Sequence, residues 1–278
     1  MHAHPPYGSL LREWRQRRRL SQLALALEAG ISTRHLSCVE TGRARPSRGL
    51  ILHLGELLEV PLRERNRWLL SAGYAPHFAE QALDALALEP AMAAIERVLE
   101  AHEPLPALLL DRHWNVLRAN RAAWAMMSWV APELRVPPIN VLRLSFHPQG
   151  LAPRILNEVE FRRHVEARLQ RLIRLTEDPV LRDLQRELCS YPSTGRQVAA
   201  SSEPLDDACA EALLPMRLAT PLGEISLFST VTVFGTPGDI SLAEVALECL
   251  YPADGESRER LLALSAGEGS SMPGSGPS

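Results

Sequence analysis

Residues 10–49 read LLREWRQRRRLSQLALALEAGISTRHLSCVETGRARPSRG, and the spacing of serines, leucines and glycine in this stretch decides the first part of the fold. Ser21 and Ser32 each stand where a hydroxyl accepts a hydrogen bond from an open backbone N–H one turn further on. Leu20 with Leu25, and Ile31 with Leu36, occupy the two positions of a hydrophobic staple, so packing as well as capping sets each helix start. Two short helices therefore begin eleven residues apart, with Gly30 at the sharp connection between them. The periodicity predicts an inward face of Leu23, Ala26 and Leu27 on the first helix and of Leu36 and Val39 on the second. Thr33, Arg34, Ser37 and Cys38 are then turned outward. An ordinary two-helix corner has the same periodicity, so the pattern alone leaves both readings open.

Charge separates them further. The 278-residue chain has a net charge of −3, yet residues 1–75 hold twelve arginines and six acidic residues, a net +6 that leaves −9 for the remainder. No lysine occurs; all thirty basic residues are arginine, so every cationic contact to a phosphate uses a planar guanidinium. Such contacts give salt-dependent affinity for nucleic acid. Arg43, Arg45 and Arg48 flank Gly42 and Pro46 just beyond the second helix, where a phosphate strand would pass. Arg17, Arg18 and Arg19 read equally well as a solvated face. DNA binding is the leading reading of this region.

Downstream, Ser47–Leu58 and Leu62–Ala72 predict two more helices, the first capped by Ser47 and the second started by Pro61. Leu50, Leu54, Leu57 and Leu58, then Trp68, Leu69 and Ala72, turn inward, which completes an all-α five-helix domain over residues 1–75. Between Pro90 and Pro104 an amphipathic run sets Met92, Ile95, Val98 and Leu99 on one side. We read residues 76–104 as a helical linker; a dimer contact and a helix packed on its own domain both remain open.

A chain of 278 residues predicts about two domains at roughly 100–200 residues each. The segment LPALLLDRHWNVLRA, residues 105–119, reads as strand, tight connection and strand, after which Asn120 opens the helical run RAAWAMMSWV. The second domain is expected over 105–264, and the tail SAGEGSSMPGSGPS, residues 265–278, is expected to be disordered.

The segment from Arg17 to Pro61 resembles the helix-turn-helix of the XRE family of bacterial repressors, a resemblance carried by Ser21-Gln22, Gly30, Glu40, Gly42 and Pro46-Ser47. The run RHLSCVETGRARPS, followed by VPLRERNRWLLSAGYAP, resembles the MmyB-like branch. The resemblance implies that Gln22 holds a phosphate at the start of its helix, that Thr33, Arg34, Ser37 and Cys38 face base edges, and that Arg15 pairs with Glu40. Cys38 departs from the family, where a polar side chain is commoner. Arg34 suits a bidentate grip on guanine O6 and N7, worth about 1–3 kcal/mol of discrimination; the loop arginines position the domain without reading sequence. The candidate DNA-binding set is therefore Arg15, Ser21, Gln22, Ser32, Thr33, Arg34, His35, Ser37, Cys38, Arg43, Arg45, Ser47 and Arg48, with His35 on the packing or phosphate side.

Strand, turn, strand and an Asn-led helix resemble the start of a PAS-like sensor. The phrases NVLRLSFHPQGLAP, a long helix near Ile155–Leu175, and LLPMRLATPLGEISLFSTVTVFGTPGDISLAEVALECLYPAD resemble the ligand-binding domain of MmyB-like regulators, so the resemblance runs from residue 10 to 255. It implies an all-α five-helix helix-turn-helix domain followed by an α+β PAS-like sensor domain with a regulatory pocket for a fatty acid or another acyl-like apolar molecule. Such a pocket needs apolar walls and a few polar groups at its mouth. Trp124, Met126, Met127, Trp129, Leu142, Phe146, Leu227 and Phe228 are candidate walls. Asn120, Arg143, His147, Arg154 and Asn157 are candidate polar contacts. Plain core for the apolar residues, and a surface salt bridge for Arg143, remain open beside this.

Catalysis finds little support. Cys38, Cys189, Cys209 and Cys249 lack CxxC spacing, the nine histidines include no HExxH, and His2 with His4 makes only a weak metal site. No Gly-rich phosphate loop occurs, and GTPGD at 235–239 fits a turn. We expect no enzyme, no metal and no cofactor beyond a regulatory fatty acid. Scattered cysteines suit a reducing cytoplasm; residues 1–9 lack a signal-peptide core, and no run reaches the ~18 apolar residues of a membrane span. The favoured function is a ligand-responsive transcription regulator acting as a homodimer on an inverted-repeat operator. The alternatives are a DNA-binding regulator whose second domain recruits a protein partner, and an enzyme fused to a DNA-binding domain.

Overall fold

The computed structural model describes residues 6–268 except 82, 84, 177, 198–213 and 235–238. The chain forms two compact units, Met1–Ala82 with Gly235–Ala243, and Leu83–Phe234 with Glu244–Ser278.

The first unit holds five helices: α1 (Tyr7–Arg17), α2 (Gln22–Glu28), α3 (Thr33–Glu40), α4 (Arg48–Leu57) and α5 (Leu62–Ser71). Three start on serine caps. The hydroxyls of Ser21, Ser32 and Ser47 accept from the N–H groups of Ala24, His35 and Leu50 at 3.0, 3.1 and 3.2 Å. Leu11, Leu25, Leu36, Ile51, Leu54, Trp68 and Leu69 fill one core. Leu36 and Val39 face inward as the periodicity predicts, but α2 differs: Leu25 and Ala26 are buried, whereas Leu23 and Leu27 are 58 % and 73 % exposed. In a helix of only seven residues, a one-position rotation of the apolar stripe swaps which leucines are covered. Gly30 takes a left-handed φ of 64° at the turn, as that connection requires. Gly8 answers to close approach instead: a Cβ there would lie 2.4 Å from the Glu40 carbonyl oxygen, so α1 crosses the end of α3 with no room for a side chain.

A helical turn, Ile240–Ala243, completes this unit. Ile240 is buried, its N–H donates to Ala79 O at 2.8 Å, and Asp239 bridges to Ala79.

The second unit is built on a five-stranded antiparallel sheet in the order β2-β1-β5-β4-β3. Its strands are β1 (Ala107–Leu110), β2 (Val116–Ala119), β3 (Met216–Thr220), β4 (Gly223–Val233) and β5 (Ala246–Pro252). The helices are α6 (Glu89–Ala101), α7 (Arg121–Met127), α8 (Val141–Phe146), α9 (Glu158–Thr176), α10 (Pro179–Ser190) and α11 (Gly255–Glu268). The expected strand, turn and strand thus occupy 107–119. Alternation along β1 and β5 divides the core. Ala107, Leu109, Leu247 and Cys249 pack with Ile95 and Leu99 of α6 on one face. Leu108, Leu110 and Leu227 join Met126, Met127, Leu142, Phe146, Val165 and Leu169 on the other. Helix α6 therefore lies on the sheet of its own unit. Residues 265–268, read from sequence as tail, continue α11, and the rest of the tail lies outside the described residues, as do His2, His4 and Cys209.

No helix among the described residues is long and apolar enough to cross a membrane.

Candidate nucleic-acid interface and ligand cavity

Helix α3 buries Leu36, Val39 and Glu40 and turns Arg34 and His35 to solvent, with Thr33, Ser37 and Cys38 half-buried on its flanks. Beyond it Arg43, Arg45, Ser47 and Arg48 are exposed. Arg45 reaches the Ala72 carbonyl at 3.1 Å and lies 5.3 Å over the Tyr74 ring, and Arg48 meets His77 Nδ1 at 2.9 Å. Those contacts pre-order two long side chains and leave each guanidinium with further N–H groups to offer.

Two members of the candidate set sit elsewhere. Arg15 is buried, with Nε 2.6 Å and Nη2 3.1 Å from the two oxygens of Glu40 and Nη1 donating to Leu20 O at 2.7 Å. Gln22 donates its side-chain amide to Glu40 Oε2 at 2.7 Å. Arg15 therefore ties α1 to α3, as the resemblance implies, and Gln22 has one amide N–H engaged with Glu40. An acid pointed at phosphates would repel them; turned inward between Arg15 and Gln22, Glu40 orients the recognition helix. Ser21, Ser32 and Ser47 accept the helix-cap hydrogen bonds with their hydroxyl oxygens.

Under the sheet of the second unit lies a cavity of about 140 Å³, walled by Leu108, Trp114, Ala123, Met126, Met127, Leu142, Phe161, Val165, Met216, Leu227 and Leu250 among others. Its polar lining is small: Ser145, His164, Arg168, Ser229 and Glu248. Arg168 lies on the α9 face that also carries Phe161 and Val165, with its guanidinium 4.5 Å over the Trp114 ring. Burial pulls its pKa down, and the charge of Glu248 pulls it back up. Glu248 shares its strand face with Leu250. Burial pushes its carboxyl above the usual range, against a hydrogen bond from Ser229 and the charge of Arg168. A cation over an aromatic face and a carboxyl reluctant to ionise thus share one apolar chamber.

Among the candidate ligand contacts, Met127 lines this cavity. Asn120 is consumed as a structural hub: Oδ1 accepts from Ala107 and Ala123, and Nδ2 donates to Leu99 O and Leu105 O. Asn157 likewise ties β3, donating to Pro215 O and accepting from Arg217 N–H. Arg143 forms a two-pronged pair with Glu187 at 2.8 Å on each arm. His147 accepts from Gln149 N–H and packs edge-on to Tyr191, while Arg154 lies over Trp129. Phe146 is core, stacked under Arg162. Trp124 is exposed on the outer side of α7. Phe228 projects from the opposite sheet face, where it stacks on Tyr251 at 5.4 Å. Among the candidate walls, Met126, Leu142 and Leu227 do reach the cavity.

The polar lining was missed, though a signal existed. Phe161, His164, Val165 and Arg168 follow helical spacing, so a charge falls on an apolar stripe. Glu248 sits between Ala246 and Leu250 in strand alternation, a carboxyl on a buried face.

A small basic helix-turn-helix unit joined to a sheet with a walled apolar cavity defines a DNA-binding regulator with a sensor. Residues 6–68 match the family model of a helix-turn-helix domain, and residues 91–264 match that of the MmyB-like transcription regulator ligand binding domain. The chain belongs to the MmyB-like transcription regulators. Both matched families are regulatory. No curated protein matches the chain. A solved structure titled as that of an RNA-binding light-oxygen-voltage receptor is 12 % identical with a TM-score of 0.24, covering 94 % of this chain. The chain spans 63 % of that protein's length, and at that likeness nothing about fold or function transfers.

Proposed function

We propose that this regulator reads an inverted-repeat operator as a homodimer and is controlled by a small apolar ligand, a fatty acid or similar acyl molecule, seated in the cavity under the sheet. The observation that carries the ligand half is that cavity: apolar walls of about 140 Å³ with Arg168 set among them to take a polar head. Arg34 and Thr33 read bases, with Ser37 and Cys38 beside them, while Arg43, Arg45 and Arg48 hold phosphates. One short recognition helix covers few base pairs, and two-fold symmetry doubles the site. The ligand acts only through its different affinity for the DNA-competent and incompetent arrangements.

Cavity size constrains the ligand. Roughly 150 Å³ of apolar space accepts a benzene-sized molecule, so this one holds a ring or a short acyl segment. A longer chain needs Met126, Met127 and Met216 to shift, which flexible thioether side chains do at low cost.

Genomic selection with the purified chain, followed by solvent extraction and mass spectrometry of the same preparation, tests both halves. An enriched palindromic site and an extracted acyl compound that changes affinity for it are the expected results. Failure to enrich any site would overturn the operator reading. A bound acyl compound without effect on that affinity would overturn the control.

A further inference from the structure

We infer that Trp114 is a positioning residue for the ligand head, a role that rests on reading this cavity as the ligand site: its ring holds the Arg168 guanidinium at the cavity wall and leaves the cation's N–H groups for an acyl carboxylate. Arg168 projects from α9 and lines the cavity, half-buried, with its guanidinium 4.5 Å over the Trp114 ring. Among the described residues it donates no hydrogen bond and makes no ion pair. Arg15 and Arg143 contrast with it. Each is gripped by both oxygens of a glutamate, which takes up the donors that a ligand would need. A ring face restrains a cation by its charge without supplying such an acceptor.

The backbone under the ring supports this role. Trp114 has a φ of 70°, in the left-handed region where glycine or asparagine is the ordinary choice and a bulky aromatic is an outlier. The turn over residues 111–115 holds it there. The Asp111 carboxylate accepts from the N–H groups of His113 and Asn115 at 2.8 and 2.9 Å, and from the Asn115 side-chain amide at 2.9 Å. The Asn140 side-chain amide donates to His113 O at 2.8 Å, and Val141 N–H donates to Trp114 O at 3.0 Å. A side chain kept where its backbone is disfavoured, in a turn fixed from several sides, is the pattern of a residue retained for where it places its ring. A ring that only filled the wall would be indifferent to the charge of the ligand head.

Isothermal titration of the full chain with hexanoate and hexanol, which share a chain and differ in head charge, separates the two roles. Trp114→Leu keeps an apolar wall and the same left-handed backbone but removes the ring. It should weaken hexanoate about fivefold more than hexanol, the scale of a desolvated cation–π contact. Trp114→Phe keeps a ring face and should restore most of that difference. Arg168→Met should weaken hexanoate selectively, and adding Trp114→Leu to it should change the ratio of the two affinities no further, because the ring acts through the cation. A thermal melt of each variant checks that it folds, and Trp114→Met repeats the comparison where Trp114→Leu does not. Equal weakening of both probes on loss of the ring, or the same selective loss in the Arg168→Met background, overturns the positioning role while the cavity stands as a ligand site. A parent chain that binds hexanol but not hexanoate does the same. Binding of neither probe overturns the reading of the cavity and the role of Trp114 together.

Discussion

In the first unit Arg15 meets Glu40 at 2.6 Å and Gln22 closes the remaining side of the carboxylate; in the second, Arg168 and Glu248 share a cavity wall and make no ion pair among the described residues. Both couples sit on the apolar side of their unit, yet only the first has its charges satisfied by the protein itself. A closed pair of this kind fixes geometry, since a bidentate guanidinium admits few arrangements. An open couple leaves hydrogen-bonding capacity for something that arrives. The helix-turn-helix thus keeps its buried charge for orientation and displays its chemistry on an exposed face, while the sensor keeps part of its chemistry inside.

The sharpest way to break that contrast is Glu40→Ala. It strands the buried Arg15 guanidinium and releases Gln22, and removing one partner of a buried pair costs about 3–5 kcal/mol. Urea denaturation followed at the helical signal should show that loss, and a change under 1 kcal/mol would mean the pair is no tighter than a surface one. Next in size is Arg34→Ala, which should forfeit about 1–3 kcal/mol of preference for the operator while keeping most of the affinity for random DNA. Equal loss on both would place Arg34 on the phosphates. Arg45→Ala should instead weaken both and flatten the salt dependence by about one unit of slope, and an unchanged slope would remove Arg45 from the phosphate contacts.

The open couple has its own signature in pH. Because Glu248 holds its proton more tightly when folded, its contribution is fully present below the unfolded carboxyl pKa of ~4.3 and is lost as pH rises through the higher folded value. Thermal midpoints of Glu248→Gln should therefore gain on the parent as pH increases from 4 toward 8, on the order of one kcal/mol or more per pKa unit. Parallel curves would show that the cavity solvates Glu248 as well as bulk water does.

The smallest effect belongs to Arg143→Ala. The Arg143–Glu187 pair is half-exposed, so its loss should cost about 0.2–1 kcal/mol at neutral pH. The sign with pH is opposite to that of Glu248. The Arg143 hydrogen bond holds the Glu187 carboxyl below its usual range, so the contribution is present above ~4.3 and fades as pH falls through the lower folded value. A gap between parent and variant that persists at the lowest pH would assign the stabilisation to packing of the Arg143 stem.

Local rules carried the first unit far. Three serine caps, a left-handed glycine and the spacing of Leu36 and Val39 are properties of five to ten neighbouring residues, and they place α2, α3 and α4 without any distant contact. The exception, the exposed Leu23 and Leu27, shows the limit: seven residues do not fix the rotation of a helix, and the neighbours it packs against do. Gly8 was silent for a related reason. Its demand comes from the Glu40 carbonyl, 32 positions away, approaching to a distance at which no Cβ fits.

In the second unit the sequence determined elements, alternation and composition: two strands around residues 111–114, an Asn-capped helix, a long helix near 155–175 that the structure places at Glu158–Thr176, and two-faced strands. Only tertiary structure decided which polar residues meet. Asn120 and Asn157 are absorbed by backbone groups from separate segments, Arg143 by a glutamate 44 positions on, and Phe228 by the opposite face of the sheet. Arg168 and Glu248, eighty positions apart, come to one wall because α9 crosses the sheet face that β5 presents. Capping and periodicity are short-range and therefore written in neighbouring residues. A cavity is the space left between elements, and its lining depends on how all of them pack.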